Sequence, residues 1–178
     1  MKNFYLLILW MFPLMGLFAQ ENEVKKSLPE KRNELKIDML QLLAQPALEI
    51  EYERIHNNWS SFGGYFRFGD GGEELFRDLR IGGFYRGYFT QSKEYGTKGF
   101  YGELLTGYYE GNSWIDYYNN NQSTKYTGLE VGFKLGYKWV NRSGFVLQAD
   151  IGLSRGIIKD DNSPTNFLLS GVKVGWRF

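Results

Sequence analysis

No cysteine occurs in the 178 residues, and there is a single histidine. The first absence removes disulfide frameworks, thiolate metal sites, cysteine nucleophiles and lipidated cysteines. The second removes any multi-histidine metal centre. An excess of one charge is also missing, with 21 Lys and Arg against 20 Asp and Glu. Nucleic-acid binding needs a basic surplus or stripe to neutralise phosphates, so no nucleic-acid partner is expected. Proline is scarce, at four residues. After the first twenty residues no apolar run approaches the roughly 20 needed to cross a bilayer as a helix. What is abundant is aromatic side chains, 18% of the chain, and glycine, 22 residues. That aromatic content argues against disorder, and the length fits one domain better than two.

Residues 1–19 read as a signal peptide. Lys2 supplies the positive start, residues 4–18 are almost unbroken apolar sequence, and Ala19 precedes a polar stretch. The apolar run is too short for a membrane anchor and contains Pro13. Residues 20–32 (QENEVKKSLPEKR) are charged and aperiodic, and read as a flexible lead-in to a barrel over residues 33–178.

From Asn33 onward the dominant period is two, the mark of strands with one apolar face. Residues 127–139 show it best: Leu129, Val131, Phe133, Leu135, Tyr137 and Trp139 alternate with Gly128, Glu130, Gly132, Lys134, Gly136 and Lys138. Residues 144–155 set Phe145, Leu147, Ala149, Ile151 and Leu153 against Gln148 and Asp150, and the last run sets Val172, Val174, Trp176 and Phe178 against Lys173 and Arg177. Five earlier runs follow suit, the first pairing Leu35, Ile37 and Met39 against Glu34, Lys36 and Asp38. The expectation is an all-β chain: an eight-stranded antiparallel up-and-down transmembrane β-barrel of strands about ten residues long, with no helix after the signal segment. Connections at one end are tight. Those at the other, residues 69–78, 110–126 and 156–166, are longer and rich in Gly, Asn, Asp and Ser.

Alternation does not by itself say which face points inward. A secreted lipocalin-like barrel would hide its apolar face around a ligand, whereas a membrane barrel turns that face to lipid. Glycines on the charged face place it inside, where large side chains need small neighbours in a narrow interior. Aromatics fall near strand ends, with Trp59, Phe89, Phe100, Trp139, Trp176 and Phe178 at one edge and Phe68, Tyr108, Tyr126 and Phe167 at the other, as two interfacial belts would require. The final strand, VKVGWRF, closes on Phe178. In this the chain resembles the small eight-stranded outer-membrane β-barrels of Gram-negative bacteria, of OmpA- and OmpX-type architecture, whose C-terminal Phe is an assembly signal read by the barrel-insertion machinery. The segment NELKIDMLQLL…LEIEYERIHNNWSSFGGYFRF is similar to the opening of uncharacterised small barrels of Bacteroidota. The resemblance implies export to the outer membrane, contact with its lipids and lipopolysaccharide, dependence on the assembly machinery and a monomeric state. It implies no activity.

Chemistry is sparse. His56 sits at a turn beside Asn57-Asn58, with Ser60 and Ser61 close by, and reads as a turn residue rather than a catalytic base. The clusters Asp70, Glu73, Glu74 and Asp160, Asp161, Asn162 lack the ligand spacing of a calcium loop, so no metal or cofactor is expected. Asn58, Asn121 and Asn141 begin Asn-x-Ser triplets that belong to turns and loops. The one real constellation is the interior charge: Glu49, Glu51, Arg67, Arg80, Arg86, Glu103, Glu130, Lys134, Lys138, Asp150, Lys173 and Arg177. Charges of both signs in a narrow lumen must pair, and the pairing reads as a structural network ahead of an ion path. The function expected is non-enzymatic: membrane integrity, or surface contacts through extracellular loops. A small pore or a ligand-binding barrel is the alternative. The candidate contact residues are Trp114, Tyr117 and Tyr118 in the longest loop.

Overall fold

The computed structural model describes residues 30–44, 47–69, 77–92, 96–113, 124–160 and 163–178. Eight strands form one closed antiparallel barrel: β1 (Asn33–Asp38), β2 (Ala47–Ile55), β3 (Ser60–Gly69), β4 (Arg77–Tyr88), β5 (Gly99–Ser113), β6 (Thr124–Val140), β7 (Phe145–Lys159) and β8 (Asn166–Arg177). Each strand pairs with its sequence neighbours, and β1 pairs with β8 to close the ring, from Glu34 opposite Arg177 to Asp38 opposite Lys173. Two backbone bonds between Asn33 and Phe178 extend this closure. The end holding residues 56–59, 89–92, 96–98 and 141–144 is the turn end, and the opposite one the loop end.

The charged face is inside and the apolar face outside. Phe133 is 47% exposed and Ile151 60%, while Glu130, Lys138 and Arg86 are fully buried. The glycines of the inner face have a definite steric job. A Cβ on Gly82 or Gly107 would collide with the Tyr65 hydroxyl, one on Gly136 with Tyr101, and one on Gly128 with Tyr109. The room they leave is taken by tyrosine rings laid across neighbouring strands, rather than by the charged side chains that alternate with them in sequence.

Three expectations need correction. The first strand ends at Asp38, after six residues, and Met39–Ala44 form a short helix, α1. The run MLQLLA could not have continued the strand. Opposite β8 in the same register, Leu40 and Leu42 would face the charged interior and Gln41 the apolar exterior. Asp38 instead caps the helix, its Oδ1 accepting from the backbone N–H of Leu40 (2.9 Å) and Gln41 (3.1 Å). Second, the strands reach further into the expected loops. β5 and β6 stay paired to Ser113 opposite Thr124, and β7 continues to Lys159. Third, the aromatic belt at the loop end loses two members. Tyr126 (1% exposed) and Phe167 (8%) turn inward and pack edge-on against Tyr109. Their position parity with Gly128 and Lys173 requires this. At the turn end Trp59, Phe89, Phe100, Trp139, Trp176 and Phe178 are all exposed on the outer surface. Phe145 lies between Trp139 and Trp176, with edge-on ring separations of 6.2 and 6.5 Å.

Candidate functional site: the charged interior

Strand register decides which charges meet. Every second residue of each strand points inward, and among the described residues eight cations (Lys36, Arg67, Arg80, Arg86, Lys134, Lys138, Lys173, Arg177) share the interior with eight carboxylates (Glu34, Asp38, Glu49, Glu51, Glu53, Glu103, Glu130, Asp150). The formal sum is zero. All twelve interior residues singled out from the sequence lie here. Glu34, Lys36, Asp38 and Glu53 belong with them. Their alternation with apolar residues was visible in the sequence, but their partners come from strands far away in the chain, which alternation does not reveal.

The half nearer the turn end is built around Arg86. Its Nε donates to Glu103 at 2.7 Å, Nη1 to Glu53 at 2.6 Å and to Gln148 Oε1 at 3.1 Å, and Nη2 to Glu51 at 3.1 Å. A further contact ties Nη2 to Glu103. The guanidinium lies 4.4 Å from the Phe84 ring centroid and 4.6 Å from that of Tyr101. Glu53 also accepts from Lys36, from Lys138 at 2.9 Å and from the Tyr88 hydroxyl at 2.8 Å. Below this layer Glu34 accepts from Arg177 Nε at 2.8 Å and Nη2 at 2.6 Å, and from Lys138 at 3.1 Å. A two-residue ribbon, Gln91–Ser92 paired with Gly96–Thr97, closes the bottom. Thr97 is fully buried. Its carbonyl accepts from Arg177 at 2.8 Å, and its hydroxyl oxygen lies 3.3 Å from Lys138 Nζ. No periodic signal marked this ribbon, because two-residue strands carry none.

Toward the loop end the packing loosens. Arg80 donates through Nε (2.9 Å) and Nη2 (2.7 Å) to Glu130, which also accepts from Ser154 at 2.5 Å. Lys134 pairs with Glu103 at 3.1 Å and Asp150 at 3.6 Å. Lys173 joins the halves, 2.6 Å from Glu51 and 3.3 Å from Glu49. A cavity of about 280 Å³ opens here, lined by Arg67, Arg80, Lys134, Lys173, Asp38, Glu49 and Asp150, by Gln41 of α1, and by Pro164 and the first part of β8.

Other candidates resolve into local structure. Ser60 donates its hydroxyl to Asn57 Oδ1 at 2.9 Å, and His56 is exposed beside this turn. Asp160 accepts from the Thr127 N–H (2.8 Å) and hydroxyl (3.0 Å), joining the top of β6 to the top of β7. Asn141 organises the turn before β7, accepting from Ser143 and Phe145. Gly144 completes that turn with a φ of +100° and no room for a Cβ against the Arg177 carbonyl, 2.7 Å away. Phe178 is exposed at the turn end of the wall. Trp114, Tyr117, Tyr118, Asn121, the Asp70–Glu74 cluster, Asp161, Asn162 and the proposed signal segment lie outside the described residues. Among the described residues no cluster of three or more His, Cys, Asp or Glu side chains could hold a metal ion.

The chain matches no family profile, no curated sequence and no solved structure. Any functional reading therefore rests on the barrel itself.

Proposed function

We propose that this protein is a non-enzymatic barrel of the bacterial outer membrane, reached through a cleaved signal peptide, monomeric, and serving membrane integrity or surface contacts at its loop end. The observation that carries the reading is the inversion of the barrel. An outer wall rich in Leu, Ile, Val and Phe side chains encloses a lumen of paired charges. Soluble monomers rarely expose apolar patches beyond a few hundred Å², and a lipocalin-like binder would carry these residues on the inside. The aromatic ring at the turn end suits the headgroup level of a bilayer. Lipids and lipopolysaccharide are the expected surroundings, the assembly machinery a transient partner, and Phe178 the residue offered to it.

The fully buried ionic layer around Arg86, Glu53 and Glu34 favours a closed barrel over the small-pore alternative, since eight-stranded interiors are just wide enough for side chains to fill. The test has two parts. Cell fractionation and heat-modifiable gel migration should place the protein in the outer membrane; recovery as a soluble monomer without detergent would refute the membrane reading. Planar-bilayer recording should show no reproducible channels. Stable channels that disappear on substituting Lys134 or Glu130 would establish the pore instead. Replacing Trp114, Tyr117 and Tyr118 together with Ser should reduce whole-cell binding to neighbouring surfaces if these residues form a contact patch, and an unchanged adhesion would reject that assignment.

A further inference from the structure

The barrel wall has one irregular stretch. β7 pairs with β8 from Asn166 to Trp176, but β1 reaches only Lys173–Arg177 on the other side. Among the described residues no strand takes over from there, and α1 stands in its place. Even-numbered residues of β8 direct their backbone groups toward this gap. The Val172 N–H donates to Asp38 Oδ1 at 3.3 Å, and the Ser170 carbonyl accepts from Gln41 Nε2 at 2.9 Å. Two side chains of the β1–α1 junction thus patch a strand edge that would otherwise present bare polar groups to the exterior, a costly arrangement in an apolar medium.

The loop-end cavity extends into this seam. It touches the inward-pointing Phe167 and Leu169 and also the outward-pointing Leu168, which is 71% exposed. Gln41 of α1 lines it as well, so the cavity reaches the junction of α1 with β8. Its wall presents four cations against three carboxylates. Glu130, fully buried under Arg80, Tyr65 and Ser154, does not reach the wall and is taken up by Arg80, which leaves Arg67, Lys134 and Lys173 facing the cavity with Asp38, Glu49 and Asp150. Beside the seam, Asp38 Oδ2 and Gln41 Oε1 are buried acceptors with no donor among the described residues, on side chains 1% and 6% exposed. Outside it, Leu40, Leu43 and Leu168 form an apolar margin.

We propose that the cavity binds the headgroup of an anionic amphiphile that enters sideways between α1 and β8. A phosphate bearing a neighbouring hydroxyl donor matches the chemistry: the anion meets Arg67, Lys134 and Lys173, the hydroxyl meets Asp38 and Gln41, and the acyl chain stays outside along Leu40, Leu43 and Leu168. About 280 Å³ accommodates a headgroup and not a whole lipid. This inference rests on the membrane reading, because a bilayer is what presents amphiphiles to that wall.

The full chain, refolded in an uncharged maltoside detergent, is titrated with lauroyl lysophosphatidylglycerol and followed by native mass spectrometry and calorimetry. One-to-one binding is expected, at least tenfold tighter than for glycerol phosphate, which lacks the chain, or dodecyltrimethylammonium, which reverses the charge. Asn166→Asp, an exposed change at the cavity edge, and Ser170→Trp, which crowds the seam, should each weaken binding at least fivefold, as should Lys134→Met. Heat-modifiable migration verifies that each variant is folded, and Asn166→Asp keeps the question decidable if Lys134→Met misfolds. Equal binding of glycerol phosphate would overturn entry through the seam. Equal binding of the cationic amphiphile would overturn the anion site, and unchanged binding by Asn166→Asp and Ser170→Trp would overturn the location. Failure of the membrane reading would show separately, as a protein that stays monomeric and soluble without detergent.

Discussion

The two halves of the interior hold the same formal charge, four cations and four carboxylates each, yet they are built differently. In the half nearer the turn end every such side chain is at most 1% exposed, and the wall around it is strand on all sides. In the other half Asp150, Arg67 and Lys134 are 8%, 6% and 5% exposed, and a helix replaces one strand. The difference teaches that charge balance alone does not close a lumen. Closure comes from multidentate geometry. Arg86 gathers three carboxylates and two aromatic faces, while Lys134, a point charge on a flexible stem, is held at 3.1 and 3.6 Å by two.

This contrast can be broken most sharply at its centre. Arg86→Met would leave Glu51, Glu53 and Glu103 short of their main partner, and should cost about 3–5 kcal/mol, as for breaking a buried ion pair from one side. Lys134→Met, beside the cavity, should cost less than half of that, because water entering from the loop end compensates the carboxylates. Urea unfolding in micelles measures both, and equal losses would erase the distinction between the halves. On the outer wall the halves should instead behave alike under the membrane reading. Phe133→Lys or Ile151→Lys should each cost about 2–4 kcal/mol near the midplane, and variants as stable as the parent would reverse the inside–outside assignment. Asp38→Ala removes the α1 cap and one patch on the β8 edge, a loss of about 1–2 kcal/mol. Faster amide exchange confined to residues 39–44 and 166–172 would show that the seam alone is affected. The smallest effect belongs to the turn end. Thr97→Val deletes a hydroxyl facing Lys138 and Arg177, worth about 1 kcal/mol, and bilayer conductance should stay at baseline. Channel openings in Thr97→Val would identify the ribbon as a removable stopper.

Much of this architecture was legible because a barrel writes its two faces into alternate residues. Parity alone assigns Glu130, Lys134 and Lys138 inward and Phe133 outward. It also assigns Tyr126 and Phe167 inward, and the belt expected at the loop end misplaced them by weighing residue type above position. The break at Asp38 was legible in a different way. An Asp followed by MLQLLA is a cap before good helix formers, and period two already fails at Leu40 and Gln41. What no local pattern contained was partnership. Glu53 meets Lys36, Arg86 and Lys138 because the successive registers from β1 to β6 bring four strands around one point, and such contacts depend on strand length and shear rather than on neighbouring residues.

The closure of the ring also orders events in time. Glu34, on the first strand, is held by Arg177 on the last, 143 positions away, and by Lys138, 104 positions away. Until β8 arrives, Glu34 and the inner side of β1 have one neighbouring strand instead of two, and the lowest ionic layer is incomplete. Contacts of such long range are slow to form because the loop-closure entropy is lost before any bond compensates it. A nascent barrel open between β1 and β8 therefore presents an unpaired edge and half-neutralised carboxylates together, and the same final step removes both. Assembly should accordingly be all-or-none at that seam, with the last strand acting as the latch for the first.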